Sequence, residues 1–359
     1  MNMFAPVRVL VFEFISALGS GAAEWADELS TAAKPSSNAE GESLLRQGIA
    51  MRDAMVADLI AAGRYDITVA TSDAAPFEAP RPHARCTTLS VPPGASAAAF
   101  LSRLAPAFDH VWVVAPETDG ILAELCRVVG TRHWVGCDEP TIVTCSSKRA
   151  TVDALAAHGI AVPDRWQPGE IEPRPAGAWI AKPDDGAGTQ DTCRHARFAE
   201  ARRDLDARLR AGRGATLERW IEGEPLSLSL LCRSDGTELL CINRQRIALA
   251  ADGALSYHGV DIDIEPTMSP RGRRLARLAR RIRTAMPGLA GFVGVDVVWT
   301  PTGQPVVIEI NPRLTCAYVG LSHRLGRKLA ADILTNGEPV ANPGPTDHST
   351  EASQTERTA

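Results

Sequence analysis

The sequence predicts a multidomain α/β protein that opens with a doubly wound sheet. Its 359 residues exceed what one hydrophobic core usually organises, since most domains contain roughly 100 to 200 residues. Strand and helix patterns alternate up to about residue 138. The run HVWVVAPE at 110–117 is continuously apolar over its strand portion, which is typical of a parallel strand buried on both faces. We therefore expect two or three domains, of which the first is an α/β domain over residues 1–138.

The elements of this first domain follow from local patterns. Apolar periodicity and glycine positions predict two strands and two helices before residue 109: strands over Val7–Phe14 and 67–71, and helices over Glu42–Ala62 and Ala95–Phe108. The intervening stretch Gly19–Gly41 is polar and rich in Ser and Ala. Its length predicts a mobile, lid-like segment.

Two further units follow, and then a polar tail. Residues 139–224 contain helix and strand patterns of a small α+β domain, including a helix over 196–209. Residues 225–336 are dominated by short strand patterns around an arginine-rich helix at 271–286. Apolar residues of that helix form one stripe, which predicts a solvated arginine face rather than a nucleic-acid site. Residues 337–359 are rich in Pro, Ser and Thr and are expected to be disordered.

Composition excludes several classes of partner. The formal net charge is -5 and the pI is near 5.9, so nothing electrostatic favours nucleic acid or an anionic membrane. The cysteines form no C-x-x-C pair, which fits free thiols in a reducing cytoplasm. The apolar N-terminal run is interrupted by Glu13 and is not followed by a signal cleavage pattern. We expect a cytoplasmic protein that acts on small molecules.

The most informative segment is GFVGVDVVWTPTGQPVVIEINPR at 291–313, which has the pattern of a β-hairpin. Three polar residues interrupt its apolar strands: Asp296, Glu309 and Asn311. Buried carboxylates need a compensating cation, and oxygen donors two residues apart project from one strand face, so the pattern predicts a magnesium site. A plain five-residue loop would place Asp296 opposite Ile308, and one bulge brings Glu309 there instead. The alternative is that both acids point to solvent.

Two lysines and a glycine-rich loop are candidates for phosphate binding. Lysine occurs only four times, so its presence at Lys148 and Lys182 among many arginines is informative. Lys182 ends the strand pattern AWIAKP and enters a loop that contains Gly186 and Gly188. Glycines allow close backbone approach to phosphate oxygens, and lysine supplies a point charge. The spacing is not that of a Walker A loop.

The segment LERWIEGEP at 217–225 carries several acids after an apolar strand pattern. It could offer backbone groups to adenine and a carboxylate to ribose hydroxyls. A charged surface hairpin is the alternative interpretation.

In their order along the chain, Lys148, AKPDDGAG, LERWIEGEP, VGVDVVW and VIEINPR resemble the ATP-grasp superfamily over roughly residues 140–325. The resemblance implies an α/β domain followed by an ATP-grasp fold, in which two α+β domains enclose ATP and Mg²⁺, with Mn²⁺ as a substitute. One departure is Gly294, which stands where D-alanine:D-alanine ligases place an arginine two residues ahead of the first metal acid.

The same resemblance implies a role for each candidate residue. Lys148, Lys182, Gly186 and Gly188 would contact the phosphates, Glu218 and Ile221 would lie at the adenine, and Glu222 or Glu224 would bind the ribose. Asp296, Glu309 and Asn311 match the metal positions. Arg313, Arg244 and Arg246 are the candidates for stabilising anionic oxygens during catalysis, and Arg313, Gln245, Tyr257 and His258 are the candidates for substrate binding.

Within the superfamily, EINPRLTCAYVGL, NRQRIAL and LSYHG are similar to tyramine-glutamate ligases of methanofuran and methylofuran biosynthesis. This resemblance implies an ADP-forming ligase that joins glutamate to tyramine or a tyrosine-like amine through an acyl phosphate. Another amino-acid or dipeptide ligase, a kinase and a nucleotide-binding protein without turnover remain open. The resemblance also leaves a homodimer open.

Overall fold

The structure is a computed structural model that describes residues 6–19, 38–79, 85–172, 177–186 and 189–335, with only the backbone described at 38–40. Gly188, most of the predicted lid-like segment and the predicted disordered tail lie outside these ranges. The described residues form three sheets.

The first sheet contains five parallel strands in the order β3-β2-β1-β4-β5. Their bounds are β1 Val7–Glu13, β2 Tyr65–Thr71, β3 Cys86–Ser90, β4 His110–Val114 and β5 Trp134–Val135. Leu10 and Phe12 of β1 belong to one core cluster, whereas Val9 and Val11 belong to another. Because alternate residues face opposite sides of a sheet, both faces are covered, which explains the continuous apolar runs.

Four α-helices accompany this sheet: α1 Phe14–Leu18, α2 Asn38–Ala62, α3 Ala97–Leu104 and α4 Ile121–Val129. Met55, Val56 and Leu59 in the second half of α2 are completely buried, whereas Leu44 near its beginning is exposed. A 3-10 turn over Ala105–Ala107 extends α3 toward β4. The predicted doubly wound domain is thus present in the described residues.

The second sheet is antiparallel, with the order β6-β9-β7-β8. It consists of β6 Arg165–Trp166, β7 Trp179–Pro183, β8 Cys193–His195 and β9 Ala215–Arg219, and it is covered by α7 Phe198–Arg210. Phe198 packs edge-on against Trp166 and Trp179, with ring centroids 5.2 Å apart in both pairs. These rings supply much of a small apolar core.

The third sheet is antiparallel in the order β12-β11-β10-β13-β14. Its strands are β10 Glu224–Arg233, β11 Gly236–Leu249, β12 Leu255–Glu265, β13 Gly291–Trp299 and β14 Pro305–Asn311. The expectation of short strands was wrong here, because β10, β11 and β12 contain 10, 14 and 11 residues. Long strands allow the β11–β12 hairpin to extend beyond its own sheet.

Three helices pack near this sheet: α5 Glu139–Ser146, α6 Lys148–Ala156 and α8 Pro270–Ala285. Leu275, Leu278 and Ile282 of α8 are buried, whereas Arg273 and Arg277 are exposed, which confirms the predicted solvated arginine face. A 3-10 turn at Cys316–Tyr318 and two short helices, α9 Leu321–Leu325 and α10 Leu329–Leu334, complete the described chain.

The tip of the β11–β12 hairpin joins the second and third sheets. The Arg194 amide of β8 donates to the Gly253 carbonyl at 2.7 Å, and the Leu255 amide donates to the Thr192 carbonyl at 3.0 Å. The two smaller units are therefore connected by hydrogen bonds between backbones. Among the described helices, none combines the length and apolar character needed to cross a lipid bilayer.

Candidate active site

Two acidic side chains face each other across the last pair of strands. Asp296 of β13 is paired with Glu309 of β14, and a register shift follows between Asp296 and Val297. This irregularity is the predicted bulge, so the predicted register is confirmed. The two carboxyl groups are close enough to repel each other, and the Glu309 side chain is only 15% exposed. The alternative in which both acids point to solvent is wrong.

The negative charge of Asp296 is costly in this position. Burial first, and then repulsion from Glu309 and the hydrogen bond with it, raise the pKa of Asp296 well above its usual value. Hydrogen bonds with Gln245 and Ser227 act in the opposite direction and are weaker. A divalent cation would allow both carboxyl groups to ionise. Together with Asn311 they form a set of hard oxygen donors, which fits Mg²⁺.

Asn311 lies at the end of β14, where it is paired with Gly294 of β13. A Cβ atom added to Gly294 would lie 2.8 Å from Cγ2 of Thr315 and 3.5 Å from Cβ of Asn311. The space beside this glycine is already filled by two side chains. A side chain at position 294 would therefore require Thr315 to shift.

Lys148 reaches the acid pair from the first turn of α6. Ser147 caps this helix by accepting from the Ala150 amide, and this cap fixes the position of the lysine. The Lys148 ammonium lies 3.9 Å from a carboxylate oxygen of Glu309 and donates to the Gly186 carbonyl at 2.9 Å. Its side chain is 7% exposed. One lysine thus contacts both the glycine-containing loop and the candidate metal site.

Lys182 forms a buried ion pair with Glu218 on the neighbouring strand. Their charged atoms are 2.8 Å apart, and the side chains are 5% and 1% exposed. The alignment is not that of a hydrogen bond, and both Glu218 oxygens lack a hydrogen-bond partner, as do Thr216 Oγ1 and Trp220 Nε1. Unsatisfied buried groups of this kind are uncommon in folded proteins. They cluster where the resemblance places the adenine.

The other residues predicted to bind the nucleotide differ in how far they are exposed to solvent. Gly186 has a φ of 120°, a conformation that favours glycine, and lies three residues after the end of β7. Ile221 and Glu222 follow β9, and the Glu222 side chain is 72% exposed and 3.7 Å from Arg194. Glu224 is more enclosed and accepts hydrogen bonds from Arg244 at 2.6 Å and Arg271 at 2.7 Å. Burial alone would raise the pKa of Glu224, but the two arginines outweigh burial and lower it.

The predicted catalytic and substrate residues fall into two groups. Gln245 is close enough to Asp296 to lower its pKa, and Tyr257 is close enough that burial, Cys316 and Asp296 raise the pKa of Tyr257 far above the usual value. Arg246 is exposed and donates to Asp261 at 2.9 Å. Gln245 and Tyr257 therefore lie near the acid pair. The described contacts of Arg246 do not include either acid.

His258 and Arg244 also point to other partners. A ring nitrogen of the exposed His258 lies 2.9 Å from the Ser256 hydroxyl, and Arg244 is engaged with Glu224. Arg313 donates to both carboxylate oxygens of Glu117, at 2.9 Å and 2.8 Å. The Arg313 and Glu117 side chains are 13% and 6% exposed. This buried pair holds the loop after β14 against the first domain.

The sequence patterns did not identify four further polar residues as members of the site: Glu117, Thr216, Trp220 and Ser227. Glu117 follows β4, and the carboxyl ends of parallel strands are where α/β proteins bind ligands, so its position was a usable signal. Thr216 and Ser227 are polar residues within apolar strand runs. The pattern that identified Asp296 could have identified them too.

The fold and the site define a class of protein with a parallel α/β domain followed by two α+β units that carry facing cationic and acidic side chains. Residues 66–142 match the family model of the pre ATP-grasp 3 domain, and residues 145–317 match that of the ATP-grasp domain. Together these matches show a pre-ATP-grasp domain followed by an ATP-grasp domain. The fold that the resemblance implied is confirmed.

Solved structures show the same fold. An ATP-grasp superfamily protein from Archaeoglobus fulgidus is 20% identical, with a TM-score of 0.62 over 92% of this chain and 88% of that one. An L-amino acid ligase from Bacillus licheniformis is 14% identical, with a TM-score of 0.63 over 93% and 74%. A D-alanine–D-alanine ligase from Bacillus anthracis complexed with ATP is 15% identical, with a TM-score of 0.57 over 93% and 97%. Comparison with curated proteins gives no match.

Proposed function

We propose that this chain is an ATP-dependent ligase that joins a carboxylate to an amine through an acyl phosphate. The observation that carries the proposal is the meeting of the Asp296–Glu309 pair with Lys148, whose ammonium also contacts the loop after β7. Two acids for a divalent cation and a lysine for phosphate are the groups that phosphoryl transfer requires. The ATP-grasp domain match supports ATP as the nucleotide.

In this proposal Asp296, Glu309 and Asn311 hold Mg²⁺, which neutralises phosphate charge when bound, and Mn²⁺ could replace it. Lys148 and Lys182 place positive charge beside the phosphates. Lys182 would then exchange part of its interaction with Glu218 for an interaction with the nucleotide. Gly186 and Gly188 would contact the phosphates, and their loop would exclude water that would hydrolyse an acyl phosphate.

The adenosine would lie beside β9. Glu218 and Ile221 flank the adenine, and the unpartnered Thr216 hydroxyl and Trp220 indole add donors beside it. Glu222 or Glu224 binds the ribose hydroxyls. Glu222 is the freer of the two, because Glu224 is already held by two arginines.

The reaction would proceed in two steps. An oxygen of the substrate carboxylate attacks the γ-phosphorus of ATP, and the bond to ADP breaks. The amine then attacks the acyl carbon, and phosphate leaves as the amide forms. Arg313 has N–H groups on Nη1 and Nη2 beyond those bound to Glu117 and Leu314, and these would hold a carboxylate or the developing oxyanion.

The substrate side of the site contains Gln245 and Tyr257, both beside Asp296. Arg244, Arg246 and His258 would reach substrate only by leaving their present partners. We propose glutamate as the carboxylate substrate and tyramine or a tyrosine-like compound as the amine, as in methylofuran biosynthesis. An L-amino acid ligase and a D-alanine–D-alanine ligase among the similar structures support amino acids as the substrate class.

The same proposal describes a cytoplasmic enzyme, monomeric or dimeric, without nucleic-acid or membrane partners. Its units are an N-terminal domain over 1–138, a small ATP-grasp domain over 139–224 and a C-terminal ATP-grasp domain over 225–336. Another amino-acid or dipeptide ligase is the nearest alternative. A nucleotide-binding protein without turnover is the alternative from another class.

An assay of ADP formation across amino acids and amines tests the proposal, with glutamate, tyramine and tyrosine first. We expect ADP release that requires both a carboxylate and an amine, with an amide product by mass spectrometry. ADP release without an amine, yielding a phosphorylated product, would identify a kinase. Nucleotide binding without ADP release across the panel would identify the non-catalytic alternative.

A further inference from the structure

A second cluster of metal-binding groups lies at the edge of the second sheet. Cys193 and His195 are two residues apart on β8 and project from the same face of the strand. Asp204 lies opposite them on α7. Their ligand atoms, one thiol sulfur, one imidazole nitrogen and one carboxylate oxygen, all lie within 4.8 Å of one another. This is the one such group of three among the described residues.

The cluster is enclosed rather than spread over the surface. His195 Nε2 and a carboxylate oxygen of Asp204 are 2.9 Å apart, and their side chains are 19% and 23% exposed. The Cys193 sulfur lies 3.7 Å from the Asp252 carbonyl at the tip of the β11–β12 hairpin. The backbone hydrogen bonds from Arg194 to Gly253 and from Leu255 to Thr192 keep that tip in place. The three donors are thus held together by a strand, a helix and a hairpin.

Arg208 fixes the carboxylate of Asp204. Its Nε donates to Oδ1 of Asp204 at 2.8 Å, and its Nη1 donates to the Asp191 carbonyl at 2.7 Å. Oδ2 lies 2.9 Å from His195 Nε2 and also accepts a longer hydrogen bond of 3.3 Å from Nη2 of Arg208. Partners that orient ligating carboxylates in this way are common around metal sites. The arginine also neutralises part of the carboxylate charge, so the site favours a metal that gains binding energy from sulfur and nitrogen.

A metal at this position would stabilise the second sheet, whose core is small. The core beneath the second sheet contains seven buried apolar residues: Trp166, Trp179, Ala181, Phe198, Ala201, Leu205 and Leu217. Small units with little buried apolar surface are often stabilised by a metal or a disulfide. A metal held by β8 and α7 would tie the edge of this sheet to the helix that covers it.

We propose that Cys193, His195 and Asp204 bind one Zn²⁺ ion, with water completing the coordination. Thiolate, imidazole and carboxylate are the ligands that zinc takes in proteins, whereas Mg²⁺ and Ca²⁺ take oxygen. Binding would displace the Cys193 proton, so affinity would rise with pH. Arg194, which contacts the candidate ribose residue Glu222, projects from the face of β8 opposite Cys193 and His195. The proposal does not depend on the proposed ligase activity.

Cobalt titration of the full-length metal-free protein tests this proposal, because Co²⁺ bound to a thiolate gives a charge-transfer band in the near ultraviolet. We expect one equivalent of Co²⁺ to produce the band and one equivalent of Zn²⁺ to abolish it. Zn²⁺ should also raise the thermal unfolding midpoint. Co²⁺ at the Asp296 and Glu309 site would give no such band, since that site has no sulfur ligand.

Cys193→Ser should lose both the band and the stabilisation by Zn²⁺, whereas Cys86→Ser, which changes a thiol on the first sheet, should keep both. His195→Gln retains the thiol and should weaken Co²⁺ binding and shift the band, so it tests the site should the serine variant fail to fold. Absence of the band in the unmodified protein would overturn the proposal. So would an unaltered band in folded Cys193→Ser or His195→Gln.

Discussion

The Lys148 ammonium lies 3.9 Å from the Glu309 carboxylate, a contact that joins the beginning of α6 to the end of β14. The same ammonium donates to the carbonyl of Gly186. Candidate groups for phosphate and for metal therefore share one position. Changing the acid should affect catalysis more than folding.

Glu309→Gln should abolish magnesium-dependent ADP formation and leave the fold intact. The substitution keeps the shape of the side chain and removes the charge that holds a divalent cation. It also removes both the repulsion that contributes to the raised pKa of Asp296 and the charge that faces Lys148. These two effects on stability oppose each other, so the metal-free variant should remain folded. Steady-state kinetics with a Mg²⁺ titration and thermal unfolding provide the measurements.

Glu124→Gln is the matched control, because Glu124 is an exposed residue of α4. It should leave turnover and the Mg²⁺ dependence unchanged. If Glu309→Gln retained full magnesium-dependent turnover, the assignment of the metal site would be wrong.

Glu117→Ala should destabilise the protein strongly, since it leaves Arg313 buried without its partner. Removing one member of a buried ion pair costs about 3 to 5 kcal/mol. Glu139→Ala breaks the Arg127–Glu139 pair, whose side chains are 61% and 35% exposed, and should cost much less. Denaturant unfolding of both variants measures the difference. Equal losses would show that the Arg313–Glu117 contact does not anchor the loop after β14.

Gly253→Ala should detach the hairpin tip from β8. A Cβ atom on Gly253 would collide with the Arg194 carbonyl oxygen, and the residue has a φ of 93°. Gly236→Ala is a suitable control, because its φ is 152° but nothing lies within 4 Å of the added atom. Hydrogen exchange of peptides covering 190–196 and 250–257 should accelerate in the first variant only. Unchanged exchange in Gly253→Ala would mean that the tip tolerates the extra atom.

Asp58→Asn should change how stability depends on pH. Asp58 of α2 accepts hydrogen bonds from the hydroxyls of Tyr318 and Ser322, and burial raises its pKa above the ordinary value of 3.8 despite these bonds. A raised folded-state pKa gives stability that is complete below the unfolded value and lost as pH rises through the folded value. The asparagine variant cannot ionise, so it escapes this loss.

The free energy of unfolding of Asp58→Asn should therefore improve relative to the unmodified protein as pH rises from acid to neutral. Urea unfolding at a series of pH values measures the gap between the two proteins. Parallel pH profiles would contradict the effect of burial on Asp58.

Local sequence patterns were sufficient for much of the fold and part of the site. The strand alternation at 291–311 predicted that Asp296, Glu309 and Asn311 belong to one hairpin, and the loop length required a bulge where the structure has one. Helical spacing likewise predicted the buried stripe of α8. These features depend on neighbours close in sequence, whose side-chain directions follow from the period of a strand or a helix.

The sequence by itself determined which residues could bind metal and phosphate, because residue type and strand period decide what a side chain offers and which face it takes. Only the tertiary structure decided which partners they meet: Arg313 with Glu117, Lys182 with Glu218, and Cys193 and His195 with Asp204. These partners come from different elements. How such elements pack depends on cores and hydrogen bonds distributed over the whole domain, which no local pattern records.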